Sequence, residues 1–371
     1  MKIASHEIVI VDLPLERPFM GRTVMRHAIL KLRTDDGIDG LGWAMAAGPM
    51  GAALVVAIDG IAELLHGEDP MMREQIDVMI DRVTGSSGPG MTHYVRAVVN
   101  IALWDITGKA AGQPIWKLLG GAEAETVETY ASGWLWRDYS LDELTESAGE
   151  LAGRGFTSMK FRCGAEARMA DEAERARVVR AAVGDDVTIM VDINQGWDIP
   201  RTMTGARHFE AQGVYWLEDP IDYRDLRGYQ QLVNSLDIAI THGEYNYGYE
   251  PFGEIIHHGA ADIVMIDAHH VGGIDAWKRA ADMAIGAHRP VVTHLSPEIC
   301  VHLAAGVPHT KTVEFMPWSF NLWEKPMEID DAGRLIVPPQ GGISLTVVCS
   351  LTSTVTFTSG LSWYEIQLDL K

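Results

Sequence analysis

The sequence predicts an α/β protein in which an α+β unit precedes a closed (β/α) barrel. Strand patterns come first and helix patterns second in residues 1–125, which is the order of an α+β unit. From residue 126 onward, short apolar runs alternate with amphipathic stretches at intervals of 23 to 30 residues, the pattern of parallel βα units. No GxGxxG motif follows the early strands, so a dinucleotide-binding sheet is not indicated.

The first unit, residues 1–125, begins with two strand-like segments. They are "HEIVIVDLPL" and "HAILKLRTDDGIDGLGW", and the "DDG" within the second predicts a hairpin turn. Helical periodicity follows in "GAALVVAIDGIAELLHG" and in "MTHYVRAVVNIALWDITGKAAG". Gly112 and Pro114 predict the end of the second helix, because glycine stops a helix in the left-handed conformation and proline cannot continue it.

Residues 126–325 contain eight short apolar runs that predict the strands of the barrel. In chain order they are "VETYASG", "TSMKF", "VTIMVDIN", "GVYWLEDP", "IAITHGE", "ADIVMID", "RPVVTHLS" and "TVEFMPW". Amphipathic stretches such as "DEAERARVVRAAVG" and "GIDAWKRAADMAIGAH" lie between them and predict the helices. Eight such units favour a closed barrel over an open doubly wound sheet.

Residues 326–371 form a C-terminal segment that we expect to return to the first unit. Its composition is unusual, since no charged residue occurs from 335 to 364 and ten of the 19 residues from 344 to 362 are Ser or Thr. This stretch is compatible with ordinary edge strands, with a disordered tail or with a sequence altered at its end. We assign no function to it.

Composition narrows the classes of partner. With 30 Lys and Arg against 51 Asp and Glu the formal net charge is −21, which argues against binding nucleic acid through its phosphates.

No stretch approaches the roughly 20 apolar residues of a membrane span. Glu7 and Asp12 interrupt the apolar N-terminus, so we expect no signal peptide. The three cysteines show no metal-type or CxxC spacing, which suits a reducing, cytoplasmic compartment.

Three apolar runs end in a carboxylate at equal intervals. Asp192, Glu218 and Glu244 follow one another at spacings of 26 and 26 residues. Because each βα unit returns the chain to the same face of a barrel, these side chains should lie side by side at the C-terminal ends of the strands. Converging carboxylates repel one another unless a cation compensates them, and oxygen ligands favour Mg²⁺. Carboxylates at strand ends also cap following helices, but this alternative does not account for the equal spacing of three.

The remaining strand ends carry further titratable groups. Lys160 and Arg162 lie two residues apart in "SMKFRCG" and so share one face of a strand. Asp267 in "VMIDAHH" and His294 in "VVTHLSP" end two successive strands, where the carboxylate could orient the imidazole as a base. Glu314 in "TVEFMPW" ends the strand after that. Each has an ordinary structural alternative, since basic residues often face solvent and a single His is more often a satisfied polar group.

Together these residues resemble the enolase superfamily, specifically its mandelate racemase branch. The resemblance covers residues 1 to about 335. It is carried by "NIALWDITGKAAGQPIWKLLGG" at 100–121, by the three equally spaced carboxylates, and by "DAHHVGGI" followed by "THLSPEI". The resemblance implies an α+β capping domain over a modified (β/α)7β barrel of the TIM type. It also implies one Mg²⁺ per subunit and abstraction of the proton α to a substrate carboxylate.

The resemblance gives each strand-end residue an expected role. The metal ligands would be Asp192, Glu218 and Glu244. The catalytic residues would be Lys160, which neutralises the substrate carboxylate, Arg162, His294 with Asp267 as general acid/base, and Glu314, which hydrogen-bonds that carboxylate. The polar positions near the metal would be Asn194 and Asp219. Mg²⁺ and the cationic side chains would stabilise the enediolate that forms when the α-proton leaves.

Arg162 departs from the pattern of the racemases that the chain resembles, which carry a second Lys there as a base. An arginine stays protonated and is a poor proton acceptor. Since racemisation needs a competent base on each face of the substrate, a one-sided reaction is favoured, in which His294 moves the proton and a β-hydroxyl leaves. We therefore predict β-elimination of water from a sugar acid, an aldonate or aldarate, to a 2-keto-3-deoxy acid. The alternatives are a racemase or epimerase of a 2-hydroxy acid and a non-catalytic protein that binds sugar acids.

The substrate pocket is expected to include residues from both domains. By resemblance, the capping domain supplies "FMGRTVM" at 19–25 and the loop around "LGWAMAAGPMG" at 41–51. The substrate-binding candidates are Arg22, Thr23, Trp43, Asn194 and His269. Trp43 and His269 have the alternatives of a core residue and a loop residue. The resemblance also implies a homo-oligomer, commonly of dimers arranged into octamers, that acts on a small carboxylate.

Overall fold

The computed structural model describes residues 1–19, 21–85, 87–122, 125–343 and 345–347. The Ser- and Thr-rich segment from 344 to 362 therefore lies outside the described residues, apart from 345–347. The fold is mixed α/β, with an N-terminal capping domain and a nearly closed parallel barrel, so the predicted fold class is confirmed. No helix in this part of the chain is long and apolar enough to cross a membrane.

The capping domain begins with a three-stranded antiparallel sheet. Its strands, in spatial order, are β1 (Ile3–Phe19), β2 (Arg22–Thr34) and β3 (Asp39–Met45). The predicted "DDG" turn joins β2 to β3, and Gly37 has a φ of 82° there, where a side chain would be strained. Four helices follow in the described residues: α1 (Gly51–Leu64), α2 (Arg73–Thr84), α3 (Met91–Ala111) and α4 (Ile115–Leu119).

Helix α3 packs directly on β3 at the centre of the capping domain. A Cβ atom on Gly42 would lie 1.9 Å from the carbonyl oxygen of Val98, so only glycine permits this approach. The helix ends where the sequence predicts, because Gly112 adopts the left-handed conformation and its N–H group donates to the carbonyls of Gly108 and Lys109. Apolar residues of α1, α3 and the sheet share one buried cluster, which is the core of this domain.

Strand β4 (Thr126–Val127) leads into the barrel. The eight barrel strands are β5 (Thr129–Ala131), β6 (Ser158–Arg162), β7 (Thr188–Asp192), β8 (Val214–Glu218), β9 (Ala239–His242), β10 (Ile263–Asp267), β11 (Val291–His294) and β12 (Val313–Phe315). Strands β5 to β11 are parallel neighbours in chain order, and β12 returns beside β5. Strands β11 and β12 nearly close the sheet, since the Lys311 N–H donates to the Val291 carbonyl at 2.8 Å. Each of the eight predicted runs contains one strand.

Seven helices connect the barrel strands in the part of the chain that is described. They are α5 (Leu141–Gly153), α6 (Met169–Val183), α7 (Ile199–Glu210), α8 (Leu226–Ser235), α9 (Glu250–His258), α10 (Ile274–Gly286) and α11 (Pro297–Gly306). One helix follows each strand until β12, which is the element order of a (β/α)7β barrel. A 3-10 helix (Pro317–Leu322) follows β12, and β13 (Leu335–Ile336) pairs with β4.

An apolar floor closes the interior of the barrel beneath the strand ends. Its buried members are Tyr130, Met190, Trp216, Ile263, Met265 and Val292. Because side chains alternate along a strand, the residue two positions later points to the same interior. Two positions beyond four of these members lie Asp192, Glu218, Asp267 and His294. The polar layer at the strand ends therefore rests directly on the apolar floor.

The described C-terminal residues contact the end of α3 in the capping domain. The Gly342 N–H donates to the Gln113 carbonyl at 3.0 Å, and the Ile343 N–H donates to the Asp105 carboxylate at 3.0 Å. Asp105 is fully buried and also accepts from Lys109 at 2.7 Å. These contacts join residues that are more than 200 positions apart in the sequence.

A charged cluster joins α2 and α3 of the capping domain to α10 of the barrel. We call it the domain-interface cluster, and it consists of Arg73, Glu74, Asp77, Arg96, Asn100, Asp275 and Arg279, which line a small cavity. Arg73 Nε lies 3.2 Å from the Asp275 carboxylate, and the Asn100 amide donates to the same carboxylate at 2.7 Å. Arg279 donates to both oxygens of Glu74. Ion pairs thus bridge the two domains at the side of the barrel.

Candidate active site

Neighbouring strand ends bring the candidate metal ligands to one side of the barrel. Asp192 ends β7 and lies opposite Glu218, which ends β8. Glu218 is also opposite Thr241 of β9, and Glu244 follows that strand by two residues. The three carboxylate residues are between 0% and 4% exposed. They belong to a layer that we call the rim, formed by Lys160, Arg162, Asp192, Glu218, Glu244, Asp267, His294 and Glu314.

Each of the three carboxylates lies beside a different cationic side chain. The pairs are Lys160–Glu218 at 2.5 Å, Arg162–Asp192 at 3.5 Å and His294–Glu244 at 3.2 Å. In this arrangement the oxygens of the three carboxylates do not all lie within 4.8 Å of one another. A cation held by all three would therefore take the place of these pairings.

The carboxylates carry more negative charge than the rim compensates. Burial, together with the charges of Asp192 and Glu314, raises the pKa of Glu218 to about 7, although Lys160 opposes the rise. Burial also raises the pKa of Glu244 well above its usual range, and its Oε2 atom has no hydrogen-bond partner. A buried carboxylate of this kind costs free energy unless a cation or a proton neutralises it. This donor set, all oxygen and partly unpartnered, fits a hard divalent cation such as Mg²⁺.

His294 and Asp267 form a dyad at neighbouring strand ends. The two residues are in register in β11 and β10, and His294 Nδ1 lies 2.6 Å from Asp267 Oδ2. The other oxygen of Asp267 accepts from the N–H groups of His269 and His270, each at 2.7 Å. Because the carboxylate holds the Nδ1 proton, Nε2 faces the interior, 3.2 Å from Glu244. This is the geometry of an oriented acid/base.

The surrounding carboxylates favour the protonated form of His294. Burial works against this, but Glu244, Asp267 and Glu314 raise the pKa of His294 to about 10. The pKa of Asp267 lies well below its usual range, because His270 and His294 outweigh the effect of burial. The dyad is therefore an ion pair at neutral pH. Since Glu244 contributes to the rise, neutralising Glu244 lowers the pKa of His294.

Lys160 lies between two buried carboxylates and is itself only 1% exposed. Its Nζ atom is 2.5 Å from Glu218 and 3.0 Å from Glu314. Against the effect of burial, these two carboxylates hold the pKa of Lys160 above its usual range. Burial also opposes ionisation of Glu314, but Lys160, His294 and Arg162 lower its pKa to about 2. Both Lys160 and Glu314 are therefore charged at neutral pH.

Arg162 is fixed on several sides by its neighbours. Its guanidinium donates to the Ser132 carbonyl at 2.6 Å and to the Ser132 hydroxyl at 3.1 Å. It also stacks on Trp136, with its central carbon 3.9 Å from the ring centroid. The Ser132 hydroxyl donates in turn to Glu314 at 2.5 Å. Since a guanidinium is a poor proton acceptor, Arg162 supplies positive charge to the rim and not a base.

The loops after β7 and β8 have unusual backbone conformations. Asn194, Gln195 and Asp219 have φ values of 45°, 62° and 37°, in the left-handed region that residues other than glycine rarely adopt. The turn lets the Asn194 N–H and side-chain amide donate to the two oxygens of Asp192, at 2.7 and 2.8 Å. The side-chain Oδ1 atom of Asn194 accepts from the Arg137 guanidinium. Asn194 therefore orients the Asp192 carboxylate, and backbone strain of this kind is frequent at functional sites.

Asp219 belongs to a buried trio beside the candidate ligands. Its Oδ1 atom lies 3.0 Å from His242 Nδ1 and accepts from the Tyr229 hydroxyl at 3.2 Å. The Tyr229 and His242 rings stack with centroids 3.9 Å apart. Among the described residues, Asp219 Oδ2 and His242 Nε2 have no hydrogen-bond partner. The trio packs against the backbone that carries Glu218 and Glu244.

The capping-domain candidates lie in the hairpin between β1 and β2. Arg22 and Thr23 are exposed at the start of β2, and the Arg22 guanidinium lies beside Gly48 of the loop after β3. The hairpin reaches the barrel through Phe19, whose ring packs 4.3 Å from that of Trp136. Trp136 is the residue on which the Arg162 guanidinium stacks. The hairpin thus contacts one side of the rim, and the roles of Arg22 and Thr23 remain predictions.

Trp43 is placed differently from the expected substrate contact. Trp43 is only 2% exposed, and its indole packs edge-on against that of Trp323 with ring centroids 4.7 Å apart. The indole is thus a core side chain. The Trp43 carbonyl accepts from Nε2 of His269 at 2.7 Å, which ties β3 to the loop after β10. Burial lowers the pKa of His269, so this histidine is neutral and connects the two domains.

Four further residues of the site were not singled out in the sequence. They are Ser132, Arg137, Tyr229 and His242. Ser132 follows β5 directly, so the strand-end argument applied to "VETYASG" would have found it. His242 is the last residue of β9, so the same argument applied to "IAITHGE" would have found it. Arg137 and Tyr229 act through tertiary contacts, and the sequence contains no local signal for them.

Two family models match the chain. Residues 4–120 match the N-terminal domain of mandelate racemase / muconate lactonizing enzyme, and residues 143–349 match the enolase C-terminal domain-like model. The chain belongs to the mandelate racemase / muconate lactonizing enzyme family of the enolase superfamily. The resemblance identified in the sequence is therefore confirmed.

Members of this family with known activities are similar to the chain over most of its length. L-talarate/galactarate dehydratase of Salmonella typhimurium LT2 is 30% identical over 320 residues, which are 86% of this chain and 80% of that protein. L-talarate dehydratase from Polaromonas sp. JS666, crystallised with Mg and L-glucarate, matches with a TM-score of 0.88 and 31% identity over 94% of this chain and 96% of that chain. D-galactarolactone cycloisomerase of Agrobacterium fabrum is 29% identical over 80% and 79% of the two chains. The family members similar to this chain thus include sugar acid dehydratases and cycloisomerases.

Proposed function

We propose that this family member is a Mg²⁺-dependent acid sugar dehydratase. It would remove the proton α to the carboxylate of an aldonate or aldarate and release the β-hydroxyl as water, and the resulting enol would tautomerise to a 2-keto-3-deoxy acid. The observation that carries the proposal is one oriented acid/base, His294 on Asp267, combined with a guanidinium where a second base would otherwise stand. The dehydratases among its relatives support the same reaction class.

Asp192, Glu218 and Glu244 are the proposed ligands of one Mg²⁺ per subunit, since they are adjacent, buried and incompletely compensated. When bound, the ion would hold the substrate carboxylate and stabilise the negative charge that develops as the α-proton leaves. Lys160 adds a fixed positive charge from the neighbouring strand. Glu314 is ionised and contacts Lys160 at 3.0 Å, so we infer that it holds the Lys160 ammonium group in position.

His294 is the proposed acid/base of the reaction. Its Nε2 atom faces the interior of the barrel while Asp267 holds Nδ1, so a proton can enter and leave only through Nε2. As neutral imidazole, Nε2 would accept the α-proton of the substrate. As imidazolium, it would return a proton to the β-hydroxyl, which leaves as water. The carboxylate of Asp267 stabilises the imidazolium between the two transfers.

The same residues argue against racemisation. A racemase must add and remove a proton on both faces of the α-carbon. Arg162 stands where a second base would be needed and is a poor proton acceptor, and Lys160 is occupied by contacts to Glu218 and Glu314. We therefore infer that proton transfer occurs from the His294 side alone.

A substrate screen tests the proposal. Purified protein with Mg²⁺ is incubated with a panel of aldonic and aldaric acids, and 2-keto-3-deoxy products are detected by semicarbazone absorbance. We expect turnover that EDTA removes and that H294N lowers by about 10² to 10⁴, the usual contribution of acid–base catalysis. The exposed His258 supplies the matched control, and H258N should have full activity. Unchanged turnover in H294N overturns the role of His294, whereas α-deuterium incorporation from D₂O with inversion and no water loss indicates a racemase.

We also propose that the protein acts on a small carboxylate in the cytoplasm as a homo-oligomer. The deficit of positive charge and the absence of cysteine pairs at disulfide or metal spacing support a reducing compartment and a small-molecule partner. Light scattering after size-exclusion chromatography measures the assembly. A monomeric mass would contradict the oligomer.

A further inference from the structure

A second group of metal-type ligands lies in the capping domain, outside the rim. His6 of β1 and Glu63 and His66 at the end of α1 are the set among the described residues whose ligand atoms all lie within 4.8 Å of one another. We propose that these three residues bind a divalent transition-metal ion of the Zn²⁺ class. This site is separate from that of the proposed catalytic ion, because it shares no residue with the rim, and its donors include two imidazole nitrogens whereas the three proposed Mg²⁺ ligands are carboxylates.

The sequence brings these donors together through one helix stripe and one strand. Asp59, Glu63 and His66 follow at spacings of four and three residues, which places them on one face of α1 and of the residues just after it. His6 Nδ1 lies 2.9 Å from His66 Nε2 across the gap between strand and helix. In a tetrahedral Zn²⁺ site two imidazole nitrogens stand about 3.3 Å apart. The two rings therefore need to separate by only a few tenths of an ångström to share an ion.

The hydrogen bonds around His6 orient it as a metal-binding histidine is oriented. Asp59 Oδ1 lies 3.1 Å from His6 Nε2 and accepts its proton, which leaves a lone pair on Nδ1 facing His66. A carboxylate on the far nitrogen is the usual outer partner of a metal-ligating histidine. Without an ion, His66 Nε2–H donates to that lone pair. If the His66 proton moves to Nδ1, on the other side of the ring, the lone pairs of His6 Nδ1 and His66 Nε2 face each other, and a cation stabilises that arrangement.

The position of the site also favours a cation. His66 lies just past the C-terminus of α1, where the unpaired carbonyl groups of a helix concentrate negative potential. His66 and Glu63 are accessible, with side chains 34% and 70% exposed, so an ion can enter from solvent. Nitrogen donors select Zn²⁺ and its neighbours in the transition series over Mg²⁺. Saturating Mg²⁺ is therefore expected to fill the rim and to leave the His6–His66 site for Zn²⁺.

Zn²⁺ titration of the tag-free protein in excess Mg²⁺ tests the proposal. Calorimetry should show one Zn²⁺ per chain, and Co²⁺ in its place should give visible absorption bands of a low-coordinate site. We expect H66A to abolish the binding, and D59N to weaken it 10- to 100-fold, as loss of an outer carboxylate does. H258A is the matched control, because His258 is also exposed beside a carboxylate, Glu254 at 3.7 Å, but lies outside this group.

Two results would overturn the site. The first is the absence of Zn²⁺ binding to the wild-type protein in excess Mg²⁺. The second is equal Zn²⁺ binding by wild type, H6N and H66A, all of which must show the same circular dichroism. Because H66A removes an exposed side chain, it is expected to fold normally. Zn²⁺ should also raise the unfolding temperature of the wild type and not that of H66A, a readout that does not depend on catalytic activity.

Discussion

The rim and the domain-interface cluster are built from similar residues, but their charges are compensated differently. In the interface cluster each guanidinium faces a carboxylate at hydrogen-bonding distance, as in Arg73–Asp275 at 3.2 Å and Arg96–Asp77 at 2.7 Å. Among the described residues, none of the buried polar atoms of this cluster lacks a partner. In the rim five carboxylates face three cationic groups, and Glu244 Oε2 is buried without a hydrogen bond.

This difference separates a structural charge cluster from the candidate active site. If all of its groups are ionised, the rim has two more negative than positive charges, which equals the charge of one divalent cation, and the raised pKa values of Glu218 and Glu244 reflect this surplus. The interface cluster is neutralised by its own side chains, which are partly exposed, so it holds two domains together without a ligand. Charge density alone therefore does not mark a site. The useful signal is a buried carboxylate with an oxygen that no hydrogen bond satisfies, as in Glu244.

Neutralising a rim carboxylate should produce the largest effect. E244Q keeps the shape of the side chain and removes its charge, so we expect Mg²⁺-dependent turnover to fall by at least about 10³, since several kcal/mol of charge stabilisation depend on the metal. In EDTA, however, the variant should be no less stable than the wild type, because burial already disfavours the charged form of Glu244 when no cation is bound. Urea denaturation with and without Mg²⁺ measures both. A less stable E244Q in EDTA would contradict the view that the rim is uncompensated.

A buried histidine outside both clusters gives the next largest effect. His302 donates to the Ile343 carbonyl from Nε2, and burial lowers its pKa from 6.5 to about 4. The unfolded chain therefore binds more protons between pH 6.5 and 4, so stability is complete above pH 6.5 and is lost as the pH falls. The full loss is about 3 kcal/mol. H302N should flatten this part of the stability curve, whereas H258N should leave its slope unchanged.

The interface cluster should respond to neutralisation differently from the rim. D275N is the isosteric counterpart of E244Q, and it removes the charge that faces Arg73 while keeping an oxygen for the Asn100 amide. We expect a loss of ~1–2 kcal/mol of stability, typical of a partly buried charged hydrogen bond. Turnover should stay within about twofold of the wild type, because no rim residue is touched. A large loss of turnover would show that the two clusters are coupled.

The smallest effect is expected on the solvent-facing side of α6. Arg177 pairs with Glu174 at 2.6 Å, three residues earlier on the same helix, and both are exposed. Exposed pairs of this kind contribute little to stability because water screens them. R177A should change neither the unfolding midpoint nor turnover. A measurable destabilisation would mean that pairing distance, and not burial, decides the importance of a charge in this protein.

Periodicity made most of the barrel predictable. Eight apolar runs gave eight strands, and the spacing of 26 residues placed Asp192, Glu218 and Glu244 on neighbouring strand ends. The sequence did not decide between a pocket position and a core position for Trp43, because it does not show whether the indole points inward or outward. The Asp219–His242 contact was also missed; it joins the residue just after β8 to the last residue of β9.

Contacts between distant segments account for the other gaps. The Arg73–Asp275 pair and the His6–His66 pair join residues 202 and 60 positions apart. The local sequence around either residue of a pair does not identify its partner. A single sequence therefore locates groups that a repeating unit brings to one face. It does not locate groups that meet only because one domain docks on another or a strand lies beside a helix.

The apolar floor makes the barrel a scaffold on which chemistry can change independently of folding. Met190, Trp216 and Val292 hold the strands together from below, and the residue two positions further along each strand decides which ion or proton is handled. A substitution in that upper layer leaves the packing beneath it intact. The fold can thus acquire a new reaction one strand at a time.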